Sequence, residues 1–220
     1  MMKTVRKKKD VGIYGLTAKW YDENSRKSRM AEMRGYANEV ASHVGDHAEV
    51  LEVAPGPGYL AIELAKKGYH VTGVELSPDF VKIARNNASE AQFSVDFKEG
   101  NASNLPCADN IYDFIVCTAA FKNFKDPVKA LCEMHRVLKP GGTALIIDMN
   151  HESTREDIKT EVKRTGMKGF DKYFVTFAFK TFLKKGAYTK ENFEVFIKET
   201  PFQNHTIRKD GMSLYVFLNK

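Results

Sequence analysis

Val50-Leu51-Glu52-Val53-Ala54-Pro55-Gly56-Pro57-Gly58-Tyr59-Leu60 is the stretch that decides the fold, and Val71-Thr72-Gly73-Val74-Glu75-Leu76-Ser77 completes it. The first reads as an apolar strand that breaks into Gly-x-Gly and restarts as a helix. The second reads as another buried strand ending on an acid. Glycine lacks the Cβ that would keep a ligand away from the backbone, so such a turn admits close approach. A carboxylate at the end of the next strand can accept hydrogen bonds from both hydroxyls of a ribose, as in doubly wound nucleoside sites. Adenosine is the expected ligand.

Two cofactor classes use this geometry. The dinucleotide fingerprint would place glycines at 56, 58 and 61, where position 61 is Ala61, a permitted variant. In the frame acidic-x-Gly-x-Gly-x-Gly, Glu52, Gly56 and Gly58 match and Ala54 departs. That pattern resembles the class I S-adenosylmethionine-dependent methyltransferases. The charge of Glu52 agrees with it: a strand-end acid repels a pyrophosphate but attracts the sulfonium and amino group of S-adenosylmethionine. Pro55 and Pro57 stiffen the turn without backbone donors.

The resemblance continues in order along the chain. Phe97-Lys98-Glu99-Gly100-Asn101-Ala102-Ser103-Asn104-Leu105-Pro106 is similar to the family's third-strand segment, whose usual Asp contacts the adenine. Here the position is Asn101, an amide that both donates and accepts. Ile111 to Cys117 resembles the fourth strand, and Leu131 to Thr143 the following helix, turn and fifth-strand start, with Pro140-Gly141-Gly142 ending the helix.

The resemblance implies an α/β fold: a Rossmann-like, seven-stranded, mostly parallel sheet with an antiparallel last strand, helices on both faces and helical cap segments. Strands are expected at 49–54, 70–75, 93–98, 111–117 and 143–148, and a terminal hairpin around Lys209-Asp210-Gly211. One domain is expected over 1–220, divided into an amino-terminal helical lid (1–45), a cofactor-binding core (46–150), a helical cap insert (151–185) and a terminal helix with hairpin (186–220).

The resemblance places cofactor contacts at Glu52, Ala54, Gly56, Gly58, Glu75, Leu76, Asn101, Ala102 and Thr118. Tyr21, in Trp20-Tyr21-Asp22, resembles the family's lid aromatic; the alternative is that Trp20 and Tyr21 anchor their segment to the core. Relatives commonly show a histidine pair before an aromatic where this chain has Phe121-Lys122-Asn123-Phe124. Asn123 is a candidate to orient a substrate oxygen. Phe121 and Lys122 are candidate substrate contacts. His151, just beyond the fifth strand, is the best-placed general base by topology. From 170 to 182 aromatic residues recur at helical spacing, which makes Phe174 and Phe177 candidate walls of an aromatic acceptor pocket or, alternatively, core.

Composition narrows the partners. The formal charge of +6 arises from 34 basic and 28 acidic side chains in 220 residues. Lys3, Arg6, Lys7, Lys8 and Lys9 form a basic amino terminus that reads as a solvated tail rather than a nucleic-acid arm. It is followed by no apolar run of signal or membrane length, so a cytoplasmic location is expected. Cys107, Cys117 and Cys132 lack metal or redox spacing, which supports neither zinc nor disulfides.

Methyl transfer needs alignment of nucleophile, methyl and sulfur more than it needs a shared catalytic side chain. The expected activity is S-adenosylmethionine-dependent methylation of a small molecule, hydrophobic or aromatic, at O, N, S or C, in the manner of the quinone-biosynthesis methyltransferases. An RNA methyltransferase, a noncatalytic S-adenosylmethionine-binding regulator and a NAD-dependent oxidoreductase are the rivals. Nucleic acid is not favoured as a partner, and the oligomeric state stays open.

Overall fold

Alternating strands and helices from residue 49 onward build a seven-stranded sheet with the order β3-β2-β1-β4-β5-β7-β6. The computed structural model describes residues 9–164 and 186–220. The strands are β1 (Glu49–Val53), β2 (His70–Glu75), β3 (Asp96–Glu99), β4 (Tyr112–Thr118), β5 (Leu138–Met149), β6 (Asn204–Asp210) and β7 (Ser213–Asn219). The helices are α1 (Gly15–Ala41), α2 (Tyr59–Lys66), α3 (Pro78–Glu90), α4 (Pro127–Val137), α5 (Arg155–Arg164) and α6 (Lys190–Lys198). A short 3₁₀ turn, Phe121–Asn123, follows β4.

The first five strands pair in parallel and β7 pairs antiparallel with both β5 and β6. Only β7 is therefore reversed; β6, at the edge beyond it, runs with the rest of the sheet.

Both faces of the sheet are covered, as near-continuous apolar strands require. Along β1 and β4 the side chains alternate: Leu51, Val53, Ile115 and Cys117 pack with α4 and α6 through Leu131, Met134, Phe193 and Phe196. Val50, Phe114 and Val116 pack on the other face with α1, α2 and α3. Met33, Ala37 and Val40 recur at helical spacing and seat the second half of α1 in that layer.

Local chemistry sets the helix starts. Ser77 Oγ accepts from Phe80 N at 3.4 Å ahead of Pro78, and Asp126 Oδ1 accepts from Lys129 N at 3.0 Å ahead of Pro127. Thr189 and Asn192 form a reciprocal capping box on α6.

Two boundaries differ from expectation. Helix α4 stops at Val137, and Pro140-Gly141-Gly142 lies within β5, where Tyr112 pairs with Leu138 but Phe114 pairs with Thr143. Residues between Leu138 and Thr143 bulge out opposite Asp113, whose carboxylate takes both of its 2.8 Å contacts from Lys139 Nζ. Strand β3 begins at Asp96, three residues later than expected, since it pairs only with β2.

Candidate cofactor and active site

Between β1 and β4 the strand order reverses, and at such a switch point the carboxyl ends of the strands leave a crevice. The crevice is present here. It takes in about 950 Å³ including its open mouth.

The turn after β1 is built from left-handed residues. Ala54 (φ 58°), Gly56 (φ 55°) and Gly58 (φ 79°) all lie in that region. Ala54 N donates to Val74 O at 2.8 Å and Gly58 N to Pro55 O at 3.0 Å, so the turn is tied to β2 and to itself. The carboxylate of Glu75 completes the tie: Oε2 accepts from Gly56 N at 3.0 Å and Oε1 from Ser77 N at 2.9 Å. Burial pushes the Glu75 pKa up, and those N–H groups offset part of the rise. Each oxygen keeps a lone pair for a further donor.

Ala54, Gly56, Glu75 and Leu76 line the crevice. Gly58 does not. A Cβ there would come within 2.6 Å of Phe97 Cζ and 3.0 Å of the Ala84 Cβ, so this glycine lets α2 pack against β3 and α3.

Glu52 lies at the floor, 2 % exposed. Burial pushes its pKa up to about 8, against the opposing pull of the Ala61 N–H at the start of α2 and of the Arg29 charge; the charge of Glu75 adds to the rise. Among the described residues its Oε2 has no hydrogen-bond partner. An orphaned buried carboxylate oxygen requires an explanation. A cationic ligand group at the floor of the crevice supplies one, and the amino group of S-adenosylmethionine fits it.

Tyr21 lines the crevice and meets Phe80 edge to face at 5.8 Å, whereas Trp20 is 62 % exposed and anchors nothing. The Tyr21 hydroxyl accepts from Arg29 Nη1 at 2.6 Å. Arg29 also lines the site and was missed in the sequence, although it follows Tyr21 by two helical turns. Asn101 and Ala102 form the wall beyond Glu75, where Gly100 N donates to Glu75 O at 2.9 Å. Thr118, Asn123 and Phe124 line the side under β4.

The other candidates lie elsewhere. Phe121 is fully buried and stacks on Phe193 with ring centroids 5.3 Å apart, so it is core rather than a substrate contact. Lys122 gives its ammonium to Asp148 Oδ1 and to Ala119 O, both at 2.9 Å, and so is not available to a substrate anion. His151 is exposed on the turn after β5, its N–H bonded to Tyr188 O at 3.1 Å, and it does not line the crevice. The fold carries it past the edge it was expected to face. Phe174 and Phe177 fall outside the described residues.

Comparison with known proteins agrees with this geometry. Residues 51–146 match the family described as "Methyltransferase domain". A putative S-adenosyl-L-methionine-dependent methyltransferase from Methanococcus maripaludis has the same fold, with a TM-score of 0.79 at 22% identity over 97% of this chain and 96% of that one. Residues 51–146 thus match a methyltransferase domain, and the described fold is that of this solved methyltransferase.

In sequence it is similar to demethylmenaquinone methyltransferases. The Deinococcus radiodurans protein is 34% identical over 140 residues, covering 62% of this chain and 58% of that protein. The Chlorobaculum parvum protein is 41% identical over 101 residues, 46% of this chain and 40% of that protein. The matches thus span about half the length of these curated relatives. Among the described residues no helix is long and apolar enough to cross a membrane.

Proposed function

We propose that this protein transfers a methyl group from S-adenosylmethionine to a small, hydrophobic or aromatic acceptor of the quinol type that the names of its relatives indicate. The observation that carries this reading is the unpartnered Oε2 of Glu52, buried at the floor of a crevice whose wall holds Glu75. Glu52 holds the amino end of the cofactor, Glu75 the ribose hydroxyls, and Tyr21 covers the site. When bound, the cofactor supplies a methyl carbon that is already electrophilic.

The remaining task is orientation, worth roughly 7–11 kcal/mol in well-aligned pairs. Thr118, Asn123 and Phe124 line the acceptor side, and the Asn123 amide is the group there suited to orient an acceptor oxygen. Lys122 and Asp148 neutralise each other behind it. An electron-rich ring with an ionisable hydroxyl fits such a site, because it needs alignment more than a strong base. The aromatic face around Phe174 and Phe177 remains the proposed source of the acceptor wall. A cytoplasmic location accords with Cys107, Cys117 and Cys132, all unpaired.

Supplying methyl-labelled S-adenosylmethionine with a reduced short-chain naphthoquinone, with total RNA and with protein extract tests the reading. Label in the naphthoquinone or in an extractable small aromatic is expected. Label in RNA or protein alone would contradict it.

A further inference from the structure

The wall of the crevice next to Glu75 carries an acid that comes from outside the sheet. Asn101, just beyond β3, has its side chain held by local contacts: Oδ1 accepts from Ser103 N at 2.8 Å. Its Nδ2 donates to Asp10 Oδ2 at 3.1 Å. Asp10 comes from the segment that precedes α1 and also lines the crevice.

This segment is fixed as a strap across the sheet edge. Asp10 Oδ1 accepts from Lys125 N at 2.7 Å, Val11 N donates to Asn123 O at 3.3 Å, and Ser77 Oγ donates to Ile13 O at 2.6 Å. The first turn of α1 is secured by Gly15 N donating to Asp79 Oδ2 at 2.7 Å. The strap joins the segments that follow β2, β3 and β4, with its carboxylate set between the β3 wall and the loop that leads into α4.

We propose that Asp10 is the specificity-determining acceptor for the exocyclic amino group of the cofactor's adenine. The inference rests on the methyltransferase reading given above. Two of the roughly four acceptor positions on the Asp10 carboxylate are taken, which leaves capacity for an N–H donor. An amino group at that edge meets an acceptor, whereas a carbonyl would meet a like-signed oxygen. The acid on this wall belongs to the strap, and the Asn101 amide holds it there.

The test uses S-adenosylhomocysteine and S-inosylhomocysteine, which differ at the base edge by amino against carbonyl, titrated calorimetrically into the whole chain. The wild type is expected to prefer the adenosyl compound by about tenfold or more, the size of one charge-assisted hydrogen bond. Asp10→Asn, whose amide can donate to a carbonyl, is expected to bring the two affinities within about threefold of each other. The double variant Asp10→Asn with Asn101→Asp returns a carboxylate to the same edge and is expected to recover the preference. An unchanged preference in Asp10→Asn, or tighter adenosyl binding by it, would overturn the role of Asp10 while leaving the cofactor site intact. Failure of the wild type to bind either compound would overturn the functional reading, and this inference with it.

Discussion

Glu52 bears on stability and binding at once. Its carboxyl has an ordinary value of 4.5 when exposed and about 8 in the fold without a ligand. Below about pH 4.5 both states are protonated and no penalty arises. As pH rises from there towards 8, the unfolded chain loses a proton that the folded chain keeps, so stability falls across that window and levels off above it. Each unit of the shift is worth about 1.4 kcal/mol, so the loss amounts to a few kcal/mol. Glu52→Gln, which keeps the shape without the ionisation, is expected to flatten this part of the stability–pH curve in chemical denaturation between pH 5 and 8, and to weaken cofactor binding. Parallel curves for variant and wild type would contradict the buried proton. Ala54 offers a second test. Its φ of 58° costs a non-glycine residue about 1–2 kcal/mol, while glycine costs about 0.4–1 kcal/mol through the unfolded chain. Ala54→Gly should therefore stabilise by up to about 1 kcal/mol. A thermal melt that shifts downward would count against this. At this scale the sequence was readable wherever a residue acts through its place on a strand: Glu52 and Glu75 stand at their strand ends and face the crevice. It misled where packing decides. Gly58 has the spacing of a ligand contact but answers to Phe97, and the charge of Lys122 is spent on Asp148.

Between elements, the strap before α1 is where the cofactor side meets the acceptor side. Among the described residues, every hydrogen bond that pins it begins at Asp10 or later. Deleting residues 1–9, which carry Lys3, Arg6, Lys7, Lys8 and Lys9, is expected to leave cofactor affinity and methyl transfer unchanged. Deleting residues 1–13 should reduce affinity by about tenfold, the size of one charge-assisted bond. Loss of transfer in the shorter deletion with binding preserved would make the basic tail a substrate arm and favour RNA. The strap itself could not be read from the sequence, because Asp10 meets Asn101 and Lys125 across 91 and 115 residues and no local pattern encodes such a meeting. Helix α1 was visible as an amino-terminal helical segment, and the terminal hairpin through Gly211, whose φ is 54°. The start of β5 was not: the bulge opposite Asp113 depends on pairing with β4, so Pro140-Gly141-Gly142 reads locally as a helix stop and serves instead inside a strand.

At the scale of the whole molecule, the strand order and its reversal between β1 and β4 determine where a ligand can lie, and the turn after β1 determines which one. That plan was legible because each parallel strand is a buried apolar run followed by its own helix, a pattern with few alternatives. The acceptor was not legible to the same degree, since Thr118, Asn123 and Phe124 on the side under β4 form no motif that specifies one. Above all, the crevice is proposed as an S-adenosylmethionine site closed by Glu75. Calorimetric titration of S-adenosylmethionine into the wild type and into Glu75→Ala, with NAD as comparator, tests it most directly. Saturable binding at one site is expected, with a loss of about tenfold or more in a Glu75→Ala protein whose circular dichroism remains native, and no binding of NAD. Undiminished affinity in the folded variant, or binding of NAD in place of S-adenosylmethionine, would contradict it.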